Sequence, residues 1–194
     1  MPNTIQEAKV ALREMVRKRL AMLSREVRAG AGAKLCDRLR ESEIWRSAKS
    51  VLLFAPLADE PDVWPLAEAG LAAGKIIGLP RFAPPQSGYV AGRVSDLARD
   101  LVTGKFQIRE PAASCLELAL AGFDLILVPG VAFDLRGRRL GRGRGFYDRL
   151  LAEVRGVKCG VAFDEQMAIS IPAEIHDAVV NCILTPTCWL KIAN

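Results

Sequence analysis

The chain has 194 residues, 51% of them hydrophobic, and carries 27 Lys and Arg against 22 Asp and Glu for a net charge of +5. A chain of this size buries roughly 70% of its unfolded surface, so no staple is needed and one domain over 1–194 is expected. The basic balance favours anionic partners without separating small molecules from nucleic acid.

The five cysteines, Cys36, Cys115, Cys159, Cys182 and Cys188, include no C-x-x-C pair, and His176 is the only histidine. A zinc site therefore has no ligand spacing to build on, and an odd cysteine count argues against a disulfide framework. A reducing compartment follows. Glu7, Lys9, Arg13, Glu14, Arg17, Lys18 and Arg19 interrupt the start of the chain, so no signal peptide is expected. The most apolar stretch, 116–133, is broken by Glu117, Asp124 and Pro129, which excludes a membrane-spanning helix. The expectation is a cytoplasmic protein without a membrane partner.

In chain order, residues 4–23 predict an amphipathic helix with an apolar stripe of Ile5, Ala8, Leu12, Met15, Leu20 and Leu23. Lys9, Arg13 and Arg17 fall at i, i+4 and i+8 and form one basic ridge, either a solvated face or an anion-binding one. A second helix is predicted over 30–42. The run SVLLFA at 50–55 suits a strand covered on both faces. A helix over 62–73, a strand over 75–79 stopped by Pro80, a loop over 81–88 and a strand over 89–94 follow. Residues 99–111 look irregular, and strands are predicted at 124–128, 158–163 and 179–185. Alternating strands and helices predict an α/β fold, a three-layer Rossmann-like domain with a mostly parallel sheet flanked by helices.

The densest composition shift is FDLRGRRLGRGRGFYDR at 133–149. Arg136, Arg138, Arg139, Arg142, Arg144 and Arg149 crowd this segment with Gly137, Gly141, Gly143 and Gly145, and Asp148 alone offsets the charge from 136 onward. Glycines at 141, 143 and 145 permit positive φ and let the backbone amides converge. A strand precedes the loop and a helix is predicted from Phe146 to Glu153, the arrangement that binds phosphate. The spacing matches neither a Walker A loop nor G-x-G-x-x-G. Arg142 and Arg144 supply charge as planar forks. Asp148, in the first helical turn, suits either an N-terminal stabiliser or a magnesium ligand. A flexible RGG-like segment that tracks nucleic acid is the rival reading, weakened by the confinement of the arginines to one short loop.

The segment VPGVAFDLRGRRLGRGRGFYDRLL at 128–151 is similar to the signature of the 5-formyltetrahydrofolate cyclo-ligase family. Lys9-Val-Ala-Leu-Arg13 resembles that family's K-x-x-L-R start, and FAPLADEPDVWP at 54–65 its strand followed by a glutamate. FQIREP at 106–111, GVAFDEQ at 160–166 and IPAEIHDAVVNCILT at 171–185 resemble further family segments, in the family's order. The resemblance implies ATP- and Mg²⁺-dependent closure of 5-formyltetrahydrofolate to 5,10-methenyltetrahydrofolate, with ADP and phosphate released. Phosphoryl transfer relies on positioning and charge neutralisation, so a chain with one histidine can still be an enzyme.

By that resemblance Lys9 and Arg13 reach the ATP phosphates, and Arg139, Leu140, Gly141, Arg142, Gly143, Arg144, Gly145, Phe146 and Tyr147 wrap the nucleotide. Arg142, Arg144 and Tyr147 are the implied catalytic residues. Ala55, Glu60 and the stretch Arg142 to Phe146 contact the folate. Asp148 and Asp177 hold Mg²⁺. Read without the family, Glu60 is a loop acid, Asp177 a turn brace beside a structural His176, and Tyr147 a core residue. Trp45, Trp64 and Trp189 read as packing. Phe146 stands where the family usually has tyrosine, and Asn181 where an acid is common. A non-catalytic nucleotide- or RNA-binding paralogue is the alternative. The enzyme reading implies small-molecule partners, no nucleic acid and a monomer.

Overall fold

The computed structural model describes residues 4–83, 88–104, 107–143, 145–172, 174 and 178–192. Helix α1 spans Ile5–Ala21 and opens on a capping box, in which Glu7 N donates to Thr4 Oγ1 at 3.2 Å and Thr4 N to Glu7 Oε2 at 3.2 Å. Its buried stripe is Lys9, Leu12, Val16 and Leu20, which corrects the predicted one: Ile5 and Met15 are 46% and 45% exposed. The helix is rotated because Lys9 and Arg13 face a cleft, and that carries Val16 inward. The basic ridge is split, since Arg17 stays exposed.

Helix α2 (Arg25–Glu41) begins five residues before the predicted 30 because Ser24 caps it, accepting from Val27 N at 3.2 Å. Ser42 ends α2 and caps the short α3 (Glu43–Ser47). Strand β1 covers Ser50–Leu52, α4 Trp64–Ala72 and β2 Ile76–Ala83. The prediction that Pro80 stops β2 is wrong. Ile76 N bonds Lys49 O and Leu53 N bonds Gly78 O, so even-numbered residues of β2 turn their backbone groups toward β1. Past Gly78 that neighbour has ended, and the N–H that Pro80 lacks has no partner to lose.

Strands β3 (Gly88–Val94), β4 (Leu101–Thr103), β5 (Arg109–Pro111) and β6 (Glu117–Leu118) follow, with β4 and β5 pairing antiparallel where sequence predicted irregular chain. Then come β7 (Leu125–Pro129), β8 (Ala132–Asp134), β9 (Arg139–Leu140), α5 (Phe146–Glu153, as predicted), β10 (Val157–Val161), β11 (Met167–Ala168), β12 (Cys182–Leu184) and β13 (Trp189–Lys191). The main sheet runs β13-β12-β10-β7-β1-β2-β3-β6. It is parallel from β12 to β2, with antiparallel strands at both edges.

Alternation along the strands separates the two faces. Val51, Ile77, Leu125, Leu127 and Leu184 pack with Leu35, Leu39, Trp45 and Leu66 from α2, α3 and α4. Leu52, Ile126, Val128 and Ile183 pack with Leu150 and Leu151 from α5. Three layers result, the α/β architecture the sequence predicts. Gly160 belongs to this packing: a Cβ there would lie 2.7 Å from the buried Phe133 ring. Helix α1 forms a third cluster, in which Leu12, Val16 and Leu20 meet Val131, Leu140, Phe163 and Ile171. No helix among the described residues is long and apolar enough to cross a membrane.

Candidate active site

The sheet order reverses at β1: the chain moves to β2 on one side and, later, from β7 to β10 and β12 on the other. In open α/β sheets such a switch point leaves a crevice beyond the carboxyl ends of the strands. Here it holds a cleft of about 560 Å³, lined by Phe54 and Ala55 after β1 and by Pro129 and Gly130 at the end of β7. Helix α1 and the glycine–arginine loop complete it.

That loop is a built hairpin. Asp134, fully buried, accepts from Arg136 N at 2.9 Å and Arg138 N at 3.1 Å through Oδ1, and from Ile171 N at 2.9 Å through Oδ2. Sequence reasoning passed over this residue, although an Asp three residues ahead of Gly137, at the first and last positions of a turn, is a recognisable turn signal. Gly143 and Gly145 adopt φ of 97° and 64°. Gly141 is not among the positive-φ residues; a Cβ there would sit 2.9 Å from Arg139 Nη1, so its reason is close approach. Gly145 is the N-cap of α5 and makes no side-chain cap bond, which leaves the first amides of α5 to a ligand.

Cations gather at this end. Lys9 Nζ lies 3.0 Å from Glu174 Oε2, with the lysine side chain buried. Arg13 Nε donates to Gly141 O at 2.9 Å, tying α1 to the loop. Burial and then the neighbouring Arg17 lower the Arg13 pKa, a balance that a bound anion would reverse. Arg139, buried, pairs with Asp148 Oδ1 at 2.5 Å and reaches Pro129 O at 3.5 Å. Its guanidinium lies 5.7 Å from the Tyr147 ring centre, and its Nε has no hydrogen-bond partner among the described residues. Tyr147 thus packs on the core and faces the cleft at once.

The other end is apolar and acidic. Arg142 Nη2 bridges Asp59 Oδ1 at 2.6 Å and Glu60 Oε1 at 3.1 Å, linking the glycine loop to the loop after β1. Glu60 is buried, and its Oε2 accepts from Leu57 N at 3.0 Å. Burial pushes its pKa above the ordinary carboxylate value, more than Leu57 N and Arg142 offset. Phe54, Leu57, Pro80, Phe82 and Ile108, which sequence could not name, form an apolar wall with Ala55. Phe146 meets Phe82 edge-on at 6.3 Å, with the Arg149 guanidinium 5.2 Å from its ring centre, so the missing hydroxyl is replaced by aromatic packing.

Of the sequence-predicted residues, the cleft brings together Lys9, Arg13, Ala55, Glu60, Arg139, Leu140, Gly141, Arg142, Gly143, Gly145, Phe146, Tyr147 and Asp148. Arg144, Asp177 and His176 lie outside the described residues. Asn181 precedes β12 at the end of the sheet away from the cleft, where its Oδ1 accepts from Lys158 N at 2.8 Å. Among the described residues no group of three His, Cys, Asp or Glu could hold a metal alone. Asp148 engages only Oδ1 with Arg139, so a magnesium held by one or two carboxylates and phosphate oxygens fits this donor set.

Residues 5–186 match the 5-formyltetrahydrofolate cyclo-ligase family. The chain belongs to that family. It is 32% identical over 177 residues to the 5-formyltetrahydrofolate cyclo-ligase of Escherichia coli strain K12, spanning 89% of this chain and 97% of that protein. The cyclo-ligase of Mus musculus is 29% identical over 192 residues, 93% of this chain and 95% of the mouse protein. The solution structure of Aquifex aeolicus 5,10-methenyltetrahydrofolate synthetase superposes with a TM-score of 0.86 at 33% identity, covering 96% of this chain and 93% of that one. The cyclo-ligase family membership makes this chain an enzyme of folate metabolism.

Proposed function

We propose that this chain, acting as one domain on small molecules alone, closes 5-formyltetrahydrofolate to 5,10-methenyltetrahydrofolate with ATP consumed and ADP and phosphate released. The observation that carries the reading is the two-ended cleft: cations and open α5 amides at one end, an apolar wall with buried Glu60 at the other. Phosphates suit the first end and a pterin the second.

Lys9, Arg13, Arg139 and the 139–147 backbone grip the nucleotide, with Arg144 adding charge. Asp148, with Asp177, would hold Mg²⁺, which neutralises phosphate charge when bound. Ala55 and Glu60 seat the folate so that its formyl oxygen points at the γ-phosphate. That oxygen attacks phosphorus and ADP departs. N10 then adds to the activated carbon and gives up its proton, and the formyl oxygen leaves within the phosphate. Arg142 and Arg144 stabilise charge on the transferring phosphoryl group, and Tyr147 holds Arg139 and the loop in place. Arg142 must exchange part of its contact with Asp59 and Glu60 to do so, which couples phosphate arrival to the folate end.

The test is to mix the protein with 5-formyltetrahydrofolate and Mg-ATP and follow the near-ultraviolet absorbance of the methenyl product, omitting ATP as control. An ATP-dependent rise is expected. ATP bound without any rise would overturn the reading in favour of a binding-only paralogue.

A further inference from the structure

The apolar end of the cleft contains a second carboxylate that the cationic loop does not engage. Glu110, in β5, lines the cleft half-buried between Ile108 and the wall residue Phe82. Its Oε2 accepts a long bond from Phe82 N at 3.4 Å, and among the described residues it has no lysine or arginine partner. Gly104 makes that placement possible, because a Cβ there would overlap the carboxylate. Glu60 differs: it is 7% exposed, Oε1 is taken by Arg142 and Oε2 by Leu57 N. An ionised carboxylate accepts about four hydrogen bonds, and Glu110 uses one.

A charged acceptor beside aromatic and aliphatic walls suits a flat ligand that presents adjacent N–H donors. The 2-amino group and N3–H of a 2-amino-4-oxopteridine form such a pair, and a carboxylate meets two parallel donors with both oxygens. We propose that Glu110 binds the folate by accepting from N3–H and the 2-amino group, and so selects 2-amino-4-oxopteridines. This rests on reading the cleft as a 5-formyltetrahydrofolate site.

The experiment measures KM and kcat at saturating Mg-ATP for 5-formyltetrahydrofolate and for its 2-desamino analogue, using wild type, Glu110→Ala and Glu110→Gln. A hydrogen bond to a charged acceptor predicts that Glu110→Ala raises KM for the parent about tenfold to a hundredfold. The expected change in kcat is small, because the contact is remote from the formyl group. Glu110→Gln keeps one acceptor oxygen and falls between. The 2-desamino analogue keeps only N3–H for Glu110, so its KM should rise in Glu110→Ala by a smaller factor than that of the parent. An unchanged KM for the parent overturns the proposal, as does an equal rise for both substrates, which would mean that Glu110 only shapes the cleft. Thermal melting accompanies each assay; if Glu110→Ala does not fold, Glu110→Gln decides by the same criterion. Closure by wild type with unaffected variants removes this inference alone. No closure by wild type removes the underlying reading and this inference with it.

Discussion

The proposed function gives Asp148 two tasks. Its Oδ1 neutralises Arg139 at 2.5 Å, a buried guanidinium whose Nε has no partner among the described residues. Two substitutions therefore separate structure from chemistry. Asp148→Asn keeps an oxygen for Arg139 and removes the charge that Mg²⁺ needs; it should lose turnover with little change in melting temperature. Asp148→Ala also strands a buried cation, which costs about 3–5 kcal/mol, and should lower the urea midpoint as well. Retained activity in Asp148→Asn would remove the magnesium role. Sequence left Asp148 open between helix stabiliser and metal ligand because the deciding partner, Arg139, is met only when β9 folds back onto α5.

At the scale of elements, the glycine–arginine loop is held by contacts spread over several segments. Asp134 fixes its hairpin, Arg13 ties it to α1 through Gly141 O, and Gly145 starts α5 from a left-handed φ of 64°. Gly145→Ala should cost about 1–2 kcal/mol and raise KM for ATP, since the strained turn re-aims the first amides of α5. Gly145→Asn should cost less, because asparagine tolerates this region. Urea unfolding and initial-rate kinetics check both. The loop's glycines and arginines were legible in the sequence as a candidate phosphate site. The tie to α1 was not, since 128 residues separate Arg13 from Gly141.

Across the whole molecule the cleft depends on β1 and β7 lying side by side, and their starts are pinned by one carboxylate. Asp124 Oδ2 accepts from Lys49 N at 2.8 Å, Ser50 N at 2.9 Å and Ser50 Oγ at 3.0 Å. Those bonds, first from Ser50 N and then from Lys49 N, hold its pKa below the ordinary value. A depressed folded pKa gives stability that is complete above the unfolded value of about 4 and is lost as pH falls through the folded one. Asp124 is exposed, so solvent screens part of this effect; Asp124→Ala should destabilise by about 1 kcal/mol at pH 7, and the gap to wild type should close progressively below pH 4. Denaturant melts across that range check it; a gap independent of pH would mean that the charge of Asp124 plays no part.

Sequence by itself determined the layered α/β plan, the helix from Phe146 to Glu153 and the family. These rest on local periodicity, on turn chemistry and on motifs that are contiguous in the chain. It misjudged Pro80, whose tolerance depends on where β1 ends, and the inner stripe of α1, whose rotation follows from Lys9 facing the cleft. Tertiary structure alone decided that Arg142 bridges to Asp59 and Glu60, that Arg139 pairs with Asp148, and that Glu110 stands at the apolar end. Each of these depends on which residues the sheet order brings within hydrogen-bond range, and strand neighbours that are distant in sequence leave no local pattern to read.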